Sequence, residues 1–269
     1  MSLRLLVVSD LHVDFHENRD RARDLATALS ESEADALVVA GDVSHKLDQV
    51  EWALRLFDAF PGPRLFVPGN HDVWVVRSPA GTPQDSWAKL DALEGVCDRS
   101  GFHDLERSNA KVGRFTFVGT MGWYDYSFAS PALPFTQRDY EGKAWGDLTH
   151  MDAKYAKWSE TDAEVAAWFA GAARKRLAEA EDPVVFVSHH VPLEELVLRR
   201  GDPSWDFFNA FMGSRELEHI LRTRGVTRFV FGHTHRPVSL IEPGRFVLNN
   251  PLGYPRQALN PVRTAFRVS

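Results

Sequence analysis

The sequence predicts an α/β fold, and three observations carry that prediction. Six short apolar runs rich in Val and Phe, at 3–9, 36–40, 64–67, 115–119, 184–188 and 228–232, suit strands covered on both faces. Amphipathic stripes at helical spacing lie between them, which is the strand–helix alternation of an α/β architecture. The last stretch differs: "PVSLIE", "RFVLNN" and "VRTAFRVS" are short strands joined by turns. They predict an antiparallel finish, and so a mixed sheet or two sheets.

In chain order, "LRLLVVS" ends in Asp10 and His12, and a helix follows on which Ala22, Leu25, Ala26 and Leu29 recur at i, i+3, i+4 and i+7. "ALVVA" ends in Gly41-Asp42, with His45 a little further on, before a wide stripe of Trp52, Ala53, Leu56, Phe57, Ala59 and Phe60. "RLFV" ends in Gly69-Asn70-His71-Asp72, turn-forming residues that also carry chemistry. "WAKLDALEGVC" reads as a helix with Cys97 in its core face.

"FTFVG" leads into the one compositional anomaly, 121–150, dense in aromatics from Trp123 and Tyr124 to Trp145. That density suits either packing under the next helix or a wall over a site. A helical pattern at about 160–181 sets Val165, Trp168, Phe169, Ala172 and Leu177 on one broad face. "VVFVS" ends in His189-His190, Ser214 caps a helix closing on Gly225, and "RFVFG" ends in His233-Thr234-His235. No repeat, low-complexity tract or long linker interrupts the chain. The expectation is one domain over 1–269 with an aromatic-rich loop and helical insert at about 121–181.

Bulk properties narrow the function. The 269 residues carry a net charge of −6, which argues against nucleic acid as an obligate partner. One cysteine excludes an intramolecular disulfide and fits a reducing compartment. The N-terminal apolar run is too short for a signal-peptide core or a membrane span, so a cytoplasmic protein is expected.

Five strands thus end in Asp, His or Asn, at the carboxyl ends where α/β sheets bind ligands. Burying so many carboxylates and imidazoles together is costly unless a cation joins them. Two Asp, one Asn and up to five His, without thiolate, describe a site for Mn, Fe, Zn, Co or Mg. Asp10 with His12, and His233 with His235, would face the same way in extended segments. The total exceeds one ion's coordination number, and two ions bridged by a carboxylate are the arrangement for in-line displacement at phosphorus.

"SDLH" (9–12), "GD" (41–42), "GNHD" (69–72), "SHH" (188–190) and "GHTH" (232–235) together resemble the calcineurin-like metallophosphoesterases. They occur in that family's order across nearly the whole chain. The resemblance implies a four-layer α/β/β/α sandwich with two facing mixed sheets. It implies one metal ion on Asp10, His12, Asp42 and His235, and a second on Asp42, Asn70, His189 and His233, with Asp42 bridging. It implies in-line attack by metal-activated hydroxide with His71 as general acid. His189 is expected as the ligand of its pair. His190 either packs against Pro192 or meets substrate, His45 is a loop residue or a substrate contact, and Asp72 is an orienting carboxylate or a helix start.

The substrate expected is a small phosphate ester, monoester or diester, with a nucleotide or similar group stacking on Trp123 or Tyr124. "GDVSHKLDQ" lacks the Asp-Arg-Gly stretch of the protein-phosphatase branch. A non-catalytic scaffold of the same fold stays as the other class, although every expected ligand and His71 are present. Oligomeric state is not legible.

Overall fold

Alternation of side chains along the strands sets the layers. The computed structural model describes residues 2–76 and 83–269. The first sheet contains β1 (Leu3–Val8), β2 (Ala36–Ala40), β3 (Arg64–Val67) and β4 (His103–Asp104), mutually parallel. The second contains β5 (Ala110–Val112), β6 (Phe115–Thr120), β9 (Val184–Ser188), β10 (Arg228–Val230), β11 (Val238–Glu242) and β12 (Arg245–Asn249). A separate hairpin pairs β7 (Ala144–Trp145) with β8 (Leu148–Thr149). The last strand, β13 (Phe266–Val268), returns to pair antiparallel with β1, giving the order β13-β1-β2-β3-β4. The second sheet runs β11-β12-β10-β9-β6-β5, with antiparallel pairs at both edges. Both sheets are therefore mixed, as the antiparallel finish predicts.

Leu5, Val7 and Val38 of the first sheet meet Phe117, Val187 and Val230 of the second in one core between the sheets. The alternate residues Leu6, Val8, Val39 and Phe66 face outward under α1 (His16–Ser30), α2 (Leu47–Arg55) and α3 (Ser86–Ser100). On the opposite outer face, Val118, Phe186 and Phe231 pack under α6 (Asp162–Glu179) and α8 (Arg215–Arg224). The shorter helices α4 (Gln137–Glu141), α5 (Asp152–Tyr155) and α7 (Pro203–Asp206) lie in the connections. The result is the expected four-layer sandwich. Each fully buried Val, Leu or Phe contributes about 1.5–3 kcal/mol, so strands buried on both faces hold the strand ends firmly.

Helix ends follow local chemistry. Ser214 accepts a hydrogen bond from Glu216 N, and α8 closes on Gly225 in the left-handed region. Thr161 and Glu164 form a capping box at the start of α6. Cys97 is buried on α3, and burial raises its thiol pKa, so it behaves as core.

The aromatic stretch is mostly core. Trp123, Tyr124 and Phe128 are buried, and Trp123 and Tyr124 join the cluster that includes Phe169 of α6. No helix among the described residues is long and apolar enough to cross a membrane.

Candidate metal centre

The parallel strands β1, β2, β3, β9 and β10 deliver their loops to one place, and backbone hydrogen bonds stitch those loops together. Asp10 N donates to the Gly41 carbonyl at 2.9 Å, His12 N to that of Asp42 at 3.0 Å, and Gly232 N to that of His189 at 3.1 Å. The approach is close enough to require glycine. A Cβ on Gly41 would lie 2.5 Å from His189 Nδ1 and 2.7 Å from Gly69 N, and one on Gly69 would collide with the Asp42 carboxylate.

Two groups of side chains converge there. Asp10, His12, Asp42 and His235 offer ligand atoms within 4.8 Å of one another, and so do Asp42, His189 and His233. Asp42 belongs to both. Asn70 joins the second group, its Oδ1 lying 3.1 Å from His189 Nε2 and 3.2 Å from His233 Nδ1. Asp42, Asn70, His71, His233 and His235 reach a pocket of about 350 Å³, rimmed by Trp74, His150, Phe208 and Tyr254. Asp10, His12 and His189 lie fully buried.

Local backbone explains the aim of these side chains. Among the described residues eight non-glycine residues have positive φ, and five of them are Asp10, His12, Asp42, His233 and His235. Such torsions are costly for residues with a Cβ and gather at functional sites. This corrects the expectation of extended segments. Asp10 and His12 reach one group through left-handed turns, whereas His233 and His235 divide between the two groups.

The imidazoles are oriented from outside. His189 Nδ1 donates to the Ala40 carbonyl at 2.9 Å, His235 Nδ1 to Gln257 Oε1 at 2.8 Å, and His233 Nε2 to the Phe211 carbonyl at 3.2 Å. Each bond turns one ring N–H outward and aims the other nitrogen at the centre, the usual second layer of a metal site. The inward nitrogens crowd: His12 Nε2 stands 2.9 Å from His235 Nε2, and His233 Nδ1 stands 3.3 Å from His189 Nε2, while the buried His12 Nδ1 has no hydrogen-bond partner among the described residues. Ring nitrogens this close need a proton or a cation between them. The donor set therefore fits divalent ions.

Electrostatics agree. Burial alone would raise the Asp42 carboxyl, but His189, His71 and His12 outweigh it and hold it well below the usual carboxylate range. Burial, with His71 nearby, lowers His12 to about 3. Burial opposes the charged form of His189, yet Asp42 prevails and raises it to about 9, so a cation bound at Nε2 would displace the proton that Asp42 holds there.

His71 stands beside both groups. Its Nε2 lies 3.8 Å from Asp42 Oδ2 and 3.4 Å from the Tyr254 hydroxyl, and its ring stacks on Trp74 at 3.5 Å. Its backbone N–H donates to Asp42 Oδ1 at 2.9 Å. Asp72 does not orient it. The Asp72 carboxylate instead accepts from Val43 N and Ser44 N at 2.9 Å and from Gly69 N at 2.7 Å, tying two loops together.

Several expected substrate contacts lie elsewhere. Trp123 and Tyr124 are 1% and 0% exposed, so neither ring has a face to offer a ligand. Their polar atoms are engaged, Trp123 Nε1 with Asp162 at 2.8 Å and the Tyr124 hydroxyl with Asp152 at 2.8 Å. His45 turns toward Asp14, Nδ1 to Oδ2 3.6 Å, rather than into the pocket. His190 is fully buried, its Nδ1 bonded to the Met121 carbonyl at 3.1 Å and its ring 4.5 Å from His233. It stands behind the second group, outside it.

Three contributors have no motif. Asp152, on α5, accepts from Asn70 Nδ2 at 2.9 Å and from Trp74 Nε1 at 2.5 Å. Tyr254 stacks on His12, ring centroids 4.5 Å apart. Gln257 holds His235. Proline and glycine around Tyr254, in "NPLGYPRQ", are the one local hint of an ordered turn.

The family model for calcineurin-like phosphoesterases matches residues 3–237. The chain belongs to the calcineurin-like phosphoesterases. It is therefore a hydrolase of phosphate esters, in a family that uses divalent metal ions. Among this phosphoesterase's relatives is the acyl-carrier-protein phosphodiesterase PptH of Mycobacterium tuberculosis, 27% identical over 94% of this chain and 78% of that one. The uncharacterized protein L509 of Acanthamoeba polyphaga mimivirus is 21% identical over 95% of this chain and 93% of that one. The crystal structure of PptH, described as a phosphopantetheinyl hydrolase, superposes with a TM-score of 0.81 at 22% identity, covering 98% of this chain and 95% of that one. That likeness is one of fold.

Proposed function

We propose that this phosphoesterase is a dinuclear metal-dependent phosphodiesterase. Asp10, His12, Asp42 and His235 would hold one ion, and Asp42, Asn70, His189 and His233 the other. Divalent ions bound there supply Lewis-acid activation of water and neutralise charge on the phosphoryl oxygens. The observation that carries the reading is the sharing of Asp42 by the two ligand groups.

The chain's own residues do the rest. His71, rimming the pocket, is the proton donor: its Nε2 faces the cleft between Asp42 and Tyr254, within reach of a leaving alkoxide. Stacking on Trp74 fixes the ring plane, and the backbone bond to Asp42 fixes its distance from both groups. Trp74, Phe208 and Tyr254 narrow the mouth and limit water around the phosphate. A diester is favoured over a monoester by the relationship to PptH, a phosphodiesterase that covers 94% of this chain. The phosphodiester that joins a prosthetic arm to a carrier protein is accordingly the first natural substrate to test.

The test is elemental analysis combined with turnover of bis(p-nitrophenyl) phosphate and p-nitrophenyl phosphate in Mn-supplemented buffer. Two equivalents of metal, lost together in Asp42→Asn, with faster turnover of the diester, are expected. Two tightly held ions in Asp42→Asn would refute the bridge. Conversion of a phosphopantetheinyl carrier protein to its apo form, read by mass, tests the substrate. No turnover of any ester by metal-loaded protein would sink the reading.

A further inference from the structure

A groove of about 640 Å³ opens beside the metal pocket and shares walls with it at Phe208, Met212, Thr234, His235, Tyr254 and Arg256. Its size falls within the range of small-molecule sites, about 300–1,000 Å³. Beyond the shared wall it is lined by Leu196, Val197, Leu198, Trp205 and Leu259. Leu198 and Trp205 leave 36% and 40% of their surfaces open to solvent at its mouth.

The charged residues of the groove share one sign. Arg200, Arg236 and Arg256 line it, and no Asp or Glu does. None of the three has an ion-pair partner among the described residues. The Arg200 guanidinium lies 3.6 Å over the Trp205 ring, and Arg236 Nη2 donates to the Leu196 carbonyl at 3.1 Å. Arg256 stands 5.9 Å from the Tyr254 ring. In a chain of net charge −6, three uncompensated guanidiniums around one apolar groove form a local anion-attracting field. Arg236 is half-buried, which strengthens a charge-assisted bond to a carboxylate or phosphate, while Arg200 and Arg256 stand exposed at the rim.

We propose that this groove is a subsite for the organic arm of the phosphate ester, selecting an extended, largely apolar arm that carries a second anionic group. The proposal rests on the metal-centre reading, because Tyr254, His235 and Thr234 make the groove continuous with the pocket where the reacting phosphorus would lie. Apolar walls take the length of the arm, and Arg200 and Arg236, which line the groove and not the metal pocket, take its distal anion. Arg256 stands at the junction and serves both.

The test measures affinity by calorimetry on the full Mn-loaded chain, with alkylphosphonates whose single arm can enter the groove. Methyl-, hexyl-, octyl- and decylphosphonate are compared with ω-carboxy versions of the three longer chains. Longer arms should bind more tightly than methyl, and the best carboxylated arm should gain about tenfold over its neutral counterpart. Arg200→Gln/Arg236→Gln should abolish the carboxylate gain and leave methylphosphonate affinity unchanged. In Arg200→Glu/Arg236→Glu an ω-ammonium arm should replace the carboxylated one as the better ligand.

If the carboxylated arms bind no better than neutral arms of equal length, or if the double Gln variant weakens all ligands alike, the assignment is wrong. Turnover of bis(p-nitrophenyl) phosphate by the same preparations separates the two layers. Turnover without carboxylate preference removes the groove assignment alone, whereas absence of turnover removes the hydrolase reading beneath it.

Discussion

The side-chain amide of Asn70 donates to Asp152 Oδ1 at 2.9 Å, and that bond decides which end of the amide faces the metal centre. With Nδ2 tied to Asp152, Oδ1 points at His189 and His233. The same carboxylate accepts from Trp74, whose ring backs His71. A residue from the aromatic insert thus orients one proposed ligand and braces the proposed proton donor.

Asp152→Asn replaces an acceptor with a group that can donate, so the Asn70 amide is free to flip. Metal binding in the second position should weaken by about 10–100-fold, while the first position holds its ion. Stoichiometric titration with Mn, read by electron paramagnetic resonance, checks this. Equal weakening of both ions would show that Asp152 acts on the fold instead.

His71→Ala should retain two ions and lose turnover in proportion to the basicity of the leaving group. The expected loss is about 10²–10⁴-fold for alkyl leaving groups and much smaller for nitrophenolate, which departs without a proton. A uniform loss across leaving groups would assign His71 to positioning.

Lys89 supplies a pH signature independent of the ligands. It is 6% exposed, it donates to the carbonyls of His45 and Trp74, and burial lowers it to about 8 from 10.5 despite Asp72 and Asp14. Between those values the unfolded chain binds more protons than the folded one, so stability rises with pH across that window. Below about 8 the burial penalty is fully present. Thermal midpoints from pH 8 to 10.5 should rise relative to Lys89→Arg, whose guanidinium stays charged throughout. Parallel curves for the two proteins would refute the shift.

Chelation should lower the unfolding midpoint, because ions that bind the folded chain alone stabilise it by mass action. The shift should depend on free metal concentration and should shrink in Asp42→Asn. Scanning calorimetry at several Mn concentrations reads it directly.

The sequence made the strands legible wherever burial on both faces left an uninterrupted apolar run, as in Leu3–Val8 and Val184–Ser188. It did not reveal β4 or β5, since two or three residues carry no period. The candidate site was legible where the proposed ligands sit directly on strand ends. Asp152 and Tyr254 were not, because they meet Asn70 and His71 across 82 and 183 residues and no local pattern marks a tertiary contact. Trp123 and Tyr124 misled for a related reason. An aromatic cluster has the same composition whether it walls a pocket or fills a core, and the buried rings fill a core here. The part of that insert which does reach the pocket is Thr149, His150 and Met151.

Left-handed backbone at Asp10, His12, Asp42, His233 and His235 has a consequence for durability. Glycine would adopt that torsion without steric cost, but it would also strand the backbone donors these side chains accept from, His71 N at Asp42 and His233 N at Asp10. Versions of this chain with Asp10 or Asp42 replaced by glycine should therefore unfold at lower denaturant than the metal-free parent. The carboxylates proposed for metal also fasten the loops, so the centre cannot be lost without loosening the sandwich around it.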